Sequence, residues 1–437
     1  MNISRVLYFC ISLLLFSSIL LVKFQFGSYS FFHLWMLLIL ALVLVFPNKK
    51  ILKEFLRIDT IFLSLSFFVF IVIISYIINI PNATLVSKTF SSNSGESPSF
   101  LYLKIMLNGV IFCISAILAY LLGRTISLSK VNFFKLYQLL FGFCLLNGFV
   151  NVVAWIITTG GSIGRYNFEP PITFSPGISI LYSSIGFLIG LSILARIEKA
   201  FKRKLFIVAL SILLLSVLII QTRQSQLSFV IMCMLYFFKT HKFSVKTFFW
   251  LVPSFIIFSI LILIIFKSSS ALESYGDIDS TDSVDVAIRL LMLNSAYEIF
   301  LAHPVFGIGY GMFVGHNTIP IIITGVPVYL ASPHNGIAAI LCELGLAGII
   351  TLFVITFFII KKLNKALKLV KDPILKKYCI SVYVIQVVLL ISVFLSNSSI
   401  FGPPAEISYL YISFLSFFMI GSVIGISRNE SQIVTFN

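Results

Sequence analysis

The sequence predicts an all-α integral membrane protein that crosses the bilayer about twelve times, and three observations carry that reading. Of 437 residues, 59% are apolar and 11% are charged, against about 45–50% and about 25% in soluble domains. Mean hydropathy is +1.08. The apolar residues, 46 phenylalanines among them, fall in runs long enough to cross about 30 Å of hydrocarbon, roughly 17 to 25 residues each. A net charge of +16 would suggest a nucleic-acid partner for a soluble chain; here membrane topology is a sufficient cause, and no nucleic acid is expected. The six cysteines lie in or beside apolar runs with no CxxC and no Cys/His cluster, so neither a disulfide framework nor a metal site is expected.

Taken in order, the spans fall near 6 to 22, 26 to 46, 59 to 80, 100 to 122, 133 to 158 and 177 to 195, then 205 to 221, 225 to 238, 248 to 266, 336 to 360, 379 to 395 and 407 to 426. The first run carries Arg5 before its apolar core and lacks an A-x-A-like cleavage site, which reads as a retained helix. The chain then divides into a six-helix part (1–204), three further helices (205–266), a large outer loop (267–335) and three closing helices (336–437). Of the 31 Lys and Arg, all but Lys23, Lys88, Lys104, Arg165, Arg223, Lys267 and Arg289 fall on one side of this arrangement. By the positive-inside rule that side is cytoplasmic, and it holds both termini.

The outer loop is too long for a connector. Asp282 resembles an N-cap opening an amphipathic helix from about Val284 to Leu301, so the loop is expected to fold as an external subdomain on or in the outer membrane face. Positive charge is scarce outside, and each outer arginine needs a cause. Arg223 sits in Gln221-Thr-Arg-Gln-Ser-Gln226 between two short arms, from 205 and to 238, or roughly 24 Å and 18 Å of helix. A turn between such arms dips below the interface, where a guanidinium either faces a partner or a watery cavity or snorkels to the headgroups. Arg289 lies four residues after Asp285 and is open to two readings, an exposed ion pair or a phosphate ligand. Arg165, with Glu169 nearby, is open to the same two. As a set the three could grip phosphate oxygens in bidentate fashion.

His334, in Ser332-Pro-His-Asn-Gly336, stands at the mouth of the next helix. A neutral imidazole there can take a proton from an attacking hydroxyl or simply satisfy the helix entry. Asn335, Ala339 and Glu343 share one helical stripe, and an intramembrane carboxylate faces the protein interior; a structural role is favoured for Glu343. Gly307-Ile-Gly309-Tyr-Gly311 lacks the spacing and βαβ setting of a nucleotide fingerprint and reads as a turn. Asp277-Ile-Asp279 reads as a solvated loop.

Arg289, the run Tyr297 to Phe313 with its His303-Pro turn, Pro333-His-Asn335 and Glu343-Leu-Gly-Leu-Ala-Gly348 together resemble the O-antigen polymerase and ligase superfamily of bacterial envelopes. Thr222-Arg223 looks similar too, with Gln224 where a small residue is usual. The resemblance implies a GT-C-like fold and a metal-independent, cofactor-free glycosyltransferase in the bacterial inner membrane, working at its periplasmic face. It implies undecaprenyl-diphosphate-linked glycans as donor and acceptor, and a flippase and chain-length regulator as partners. His334 would be the catalytic base, Arg223 and Arg289 would bind the diphosphate and stabilise its growing charge, Arg165 would assist, and Asn335 and Glu343 would support. Within this lipopolysaccharide-building family the Phe- and Ile-rich character favours a polymerase over a ligase acting on lipid A core. A transporter or flippase, the reading from another class, should show inverted repeats around a midplane site, whereas the polar candidates here gather at one face.

Overall fold

The computed structural model describes residues 25–26, 29–30, 53–82, 98–160, 176–220, 223–240, 281–316, 321–323, 326–328, 333, 335–395 and 407–434. The chain is an α-helical polytopic membrane protein. Its long helices are α1 (Thr60–Asn79), α2 (Pro98–Ile126), α3 (Lys130–Thr159), α4 (Pro176–Leu194), α5 (Ala200–Ile219), α6 (Arg223–Thr240) and α7 (Thr281–Ala302). A single turn, α8 (Phe313–His316), precedes α9 (Gly336–Leu369), α10 (Pro373–Leu395) and α11 (Ile407–Val434). Among the described residues seven helices are long and apolar enough to cross a membrane: α1 to α4 and α9 to α11. The expected spans near 6 to 22 and 248 to 266 lie outside the described residues.

Three expectations need adjustment. Two short antiparallel hairpins interrupt the helical pattern: β1 (Gln25–Phe26) with β2 (Tyr29–Ser30), and β3 (Ile321–Ile323) with β4 (Val326–Val328). The first overlaps the start drawn for the span at 26 to 46, whose remainder is outside the described residues. Helix α7 opens at Thr281, so Asp282 lies inside its first turn and is not the cap. The arms around Arg223 are 20 and 18 residues long, about 30 Å and 27 Å. Lys202, Arg203 and Lys204 continue α5 as helix and are exposed. Arm length therefore no longer forces the turn below the interface.

The helices group into two compact units. The first comprises Met1–Leu136, Ile288–Lys371 and Leu389–Asn437. Within it α2 and α11 approach at backbone distance, because α11 has Gly421 and Gly425 one turn apart. A Cβ at these positions would lie 2.1 Å from the Tyr120 carbonyl oxygen and 2.2 Å from that of Arg124, which is how small residues bring helices together without a hydrophobic drive in lipid. This pair frames a buried ion cluster. Arg124, with no exposed surface, donates from Nη1 to Asp59 Oδ2 at 2.9 Å and from Nη2 to the Arg57 carbonyl at 2.7 Å. Arg428 reaches the same Asp59 oxygen at 3.1 Å and Glu54 Oε1 at 2.5 Å, and the Tyr120 hydroxyl donates to Asp59 at 2.6 Å. Asp59 also caps α1, accepting from the Phe62 N–H at 3.1 Å. Burial pushes its pKa up, yet the Tyr120 and Phe62 hydrogen bonds and the two guanidinium groups hold it below the usual value.

The second unit, Tyr137–Ala287 with Asp372–Val388, is held by neutral polar contacts. Asn151 Nδ2 donates to Ser179 Oγ at 2.6 Å and to Ser216 Oγ at 3.2 Å, tying α3 to α4 and α5. Ser192 on α4 meets Tyr236 on α6 at 3.1 Å and Ser381 on α10 at 2.8 Å. In a membrane such contacts contribute about 0.6 to 2 kcal/mol each. They fix which apolar helices neighbour one another.

Candidate functional site

The first unit contains a broken helix with a loop docked into the break. Helix α9 has one residue with non-helical backbone, Gly345, at φ 64° and ψ −160°. This is a region that only glycine enters cheaply. In an unbroken helix the N–H groups of Leu346 and Ala347 would bond to the carbonyls of Cys342 and Glu343. Instead Leu346 donates to the Pro304 carbonyl at 2.9 Å and Ala347 to that of Val305 at 3.1 Å. The freed carbonyls of Cys342 and Glu343 accept from Ile308 at 3.1 Å and Gly309 at 2.9 Å. The break thus leaves none of these groups unmade.

The residues that follow α7 are shaped for this exchange. His303 and Pro304 end the helix, with the His303 N–H still donating to Ile299 at 3.0 Å. Gly307, Gly309 and Gly311 all have positive φ. A Cβ on Gly307 would stand 2.2 Å from the Glu343 backbone carbon, so only glycine permits this approach. The glycine run is a turn, as its spacing suggested. The end of α1 holds the loop from the other side. Ser75 Oγ donates to the Phe306 carbonyl at 2.5 Å, Asn79 Nδ2 to that of Gly307 at 2.8 Å, and the Tyr76 hydroxyl to that of Tyr310. Sequence reading missed these three. Their signal was the polar group Ser75-Tyr76 and Asn79 one turn apart at the end of an apolar span.

Glu343 is buried inside this junction, and its Oε1 accepts the Phe313 N–H at 3.2 Å. That bond anchors the start of α8. Phe313 packs with Met292 and Ala296 of α7 and Cys342 of α9, so the helix bearing Arg289, the start of α8 and the first piece of α9 share one small core. Asn335 caps α9, its Oδ1 accepting from Ile337 and Ala338, each at 3.0 Å. Both residues expected in supporting positions are thus structural fixtures of the helix that begins just after His334.

His334 itself and Arg165 lie outside the described residues. Arg223 is the first residue of α6 and belongs to the second unit, its side chain outside the described set. Three residues on, Gln226 Nε2 donates to the Val217 carbonyl at 3.2 Å, so the turn is tied to the end of α5. Arg289 has an exposed side chain on α7. Sequence reading also passed over His316. Its Nδ1 is 3.2 Å from the Met312 carbonyl, which requires the proton on Nδ1 and leaves Nε2 as an acceptor. Nε2 is buried with no hydrogen-bond partner among the described residues. Burial lowers the His316 pKa, the Met312 contact opposes that, and His303 adds to it.

These features define a multi-pass helical membrane protein in which Glu343 is buried at a loop-and-helix junction beside the core that holds α7. Residues 208–353, from α5 into α9, match the family model described as O-antigen ligase. Over this segment the chain is similar to that family, which covers about a third of its length. No curated protein matches the chain.

Proposed function

We propose that this protein is a surface polysaccharide polymerase, transferring a glycan from an undecaprenyl-diphosphate donor to a sugar hydroxyl of another lipid-linked repeat unit at the periplasmic face of the inner membrane. The observation that supports glycan transfer is the family match over 208–353, a segment that includes the glycine turn, its docking site in α9 and the positions of Arg223, Arg289 and His334; the choice of polymerase over ligase rests on the Phe- and Ile-rich character of the chain. In the proposed reaction the acceptor oxygen attacks the anomeric carbon, the bond from that carbon to the phosphate oxygen breaks, and the lipid diphosphate leaves. His334 takes the hydroxyl proton. Arg223 and Arg289, with Arg165 assisting, bind the diphosphate as its charge grows. Asn335 and Glu343 act by fixing the helix entry and the α8 turn. A flippase supplies the donor and a chain-length regulator limits the product.

The deciding experiment is the lipopolysaccharide gel profile of a strain lacking this protein, complemented with wild type or His334→Ala. Cores with one repeat unit in the null strain and in the His334→Ala strain support the polymerase. Bare cores with long chains retained on the lipid carrier assign a ligase instead, and an unchanged ladder refutes both.

A further inference from the structure

Helix α7 presents its most apolar residues where a water-bathed helix would present its most polar ones. At 3.6 residues per turn, the buried residues Met292, Ser295 and Ala296 define the face turned to the protein. Leu290 and Leu301 stand directly opposite, and Tyr297 and Leu293 extend the same stripe round one side, the four exposed at 61%, 58%, 59% and 37%. The polar residues sit on the flanks. Asn294 and Glu298, hydrogen-bonded to each other at 2.9 Å, lie on one side, and Arg289 lies on the other. An amphipathic helix in water has the reverse order.

The stripe also has a continuation. Beyond Leu301 it reaches Val305, 54% exposed, and the Val305 carbonyl accepts the Ala347 N–H at 3.1 Å. Next to Ala347 begins the exposed row of α9, with Leu346, Ile350, Phe353 and Phe357 at 47% to 61%. That row follows the spacing of one helix face on a membrane-crossing helix, and it starts just past the Gly345 break. One apolar band therefore runs from the span through the docked loop onto α7.

From this continuity we infer that α7 is an interfacial helix whose Leu290, Leu293, Tyr297 and Leu301 face inserts into the acyl chains of the bilayer leaflet bordering the Gly345 break. Arg289 and the Asn294–Glu298 pair then lie at headgroup level on either side, the arrangement of helices that rest in a membrane surface. The inference goes beyond the proposed reaction and needs no substrate for its test. The full chain is reconstituted in phosphatidylethanolamine and phosphatidylglycerol vesicles with a nitroxide on Leu290→Cys, Tyr297→Cys or Leu301→Cys, each read against the equally treated unsubstituted chain. Oxygen, which concentrates in hydrocarbon, should relax these labels several-fold more than a water-soluble nickel chelate does, as it should at Phe353→Cys on the span. Glu298→Cys should give a lower ratio. Chelate access at 297 and 301 equal to that at 298 overturns the inference, and so does dipolar broadening between labels, which puts a second copy on the stripe.

Discussion

Substituting Gly345 by alanine tests whether the break in α9 organises the site. The native backbone at this position, φ 64° and ψ −160°, costs a residue with a Cβ about 1–3 kcal/mol. The new Cβ would also stand 2.4 Å from the Val305 carbonyl oxygen, a contact that backbone atoms relieve only by moving apart. Relief by a continuous helix returns Leu346 and Ala347 to Cys342 and Glu343, but it strips the Ile308 and Gly309 N–H groups and the Pro304 and Val305 carbonyls of their partners. Each group left unmade costs about 1–3 kcal/mol when buried. Partial re-pairing brings the expected loss to about 3 kcal/mol. The assay is unfolding of the purified protein in mixed micelles by increasing denaturing detergent, run beside the glycan ladder of the complemented strain. Gly345→Ala should lose stability by that amount and shorten or abolish the ladder. Stability within about 0.5 kcal/mol of wild type, with a full ladder, refutes the argument.

Further outcomes are expected at other positions. His334→Ala and Arg223→Ala should each abolish glycan transfer while the protein stays inserted and folded, and Arg223→Lys should recover only part of the activity because a point charge lacks the fork; the ladder and the amount of membrane-extracted protein check both. Arg124→Ala leaves Arg428 on Asp59 and Glu54 but removes the guanidinium hydrogen bonds to Asp59 and to the Arg57 carbonyl, and should destabilise by about 1.5–3 kcal/mol in the same unfolding assay. Because the folded-state pKa of Asp59 is lowered, its contribution to stability is present above its unfolded value of about 3.9 and is lost as pH falls through the lower folded value. Acid titration of wild type should therefore show a fall in stability below about pH 4 that Asp59→Asn lacks. Glu343→Gln, whose amide can still accept the Phe313 N–H through Oε1, should keep most activity, whereas Glu343→Leu should lose it, since the α8 turn then has no anchor; ladder density distinguishes the two.

What the sequence disclosed and what it withheld follow from range. Apolar runs announce α1 to α4 and α9 to α11 because burial in lipid is written residue by residue in hydropathy, and the described helices fall where those runs do. The ends were less legible: lysines at 202 and 204 read as loop because charge ends an apolar run even where the helix continues. Gly307 and Gly345 were each visible as glycines, but their joint purpose depends on a contact between segments more than thirty residues apart. Arg124 was read as one more cytoplasmic charge. Nothing local marks it as fully buried, since its partners Asp59 and Arg428 are distant in the chain. Asn335 and Glu343 shared a stripe by helical spacing, and that stripe does face the protein interior.

The Gly345 break divides the labour of α9. The apolar residues after it, 346–360, extend about 22 Å before the lysines at 361 and 362, short of about 30 Å of hydrocarbon, so the nine residues from Gly336 to Leu344 complete the crossing. The direction of this first piece is set by the glycine turn docked against it, and not by the axis of the helix that follows. The two pieces of α9 can therefore differ in tilt, and the helix entry after His334 takes its position from the end of α1 and the core under α7.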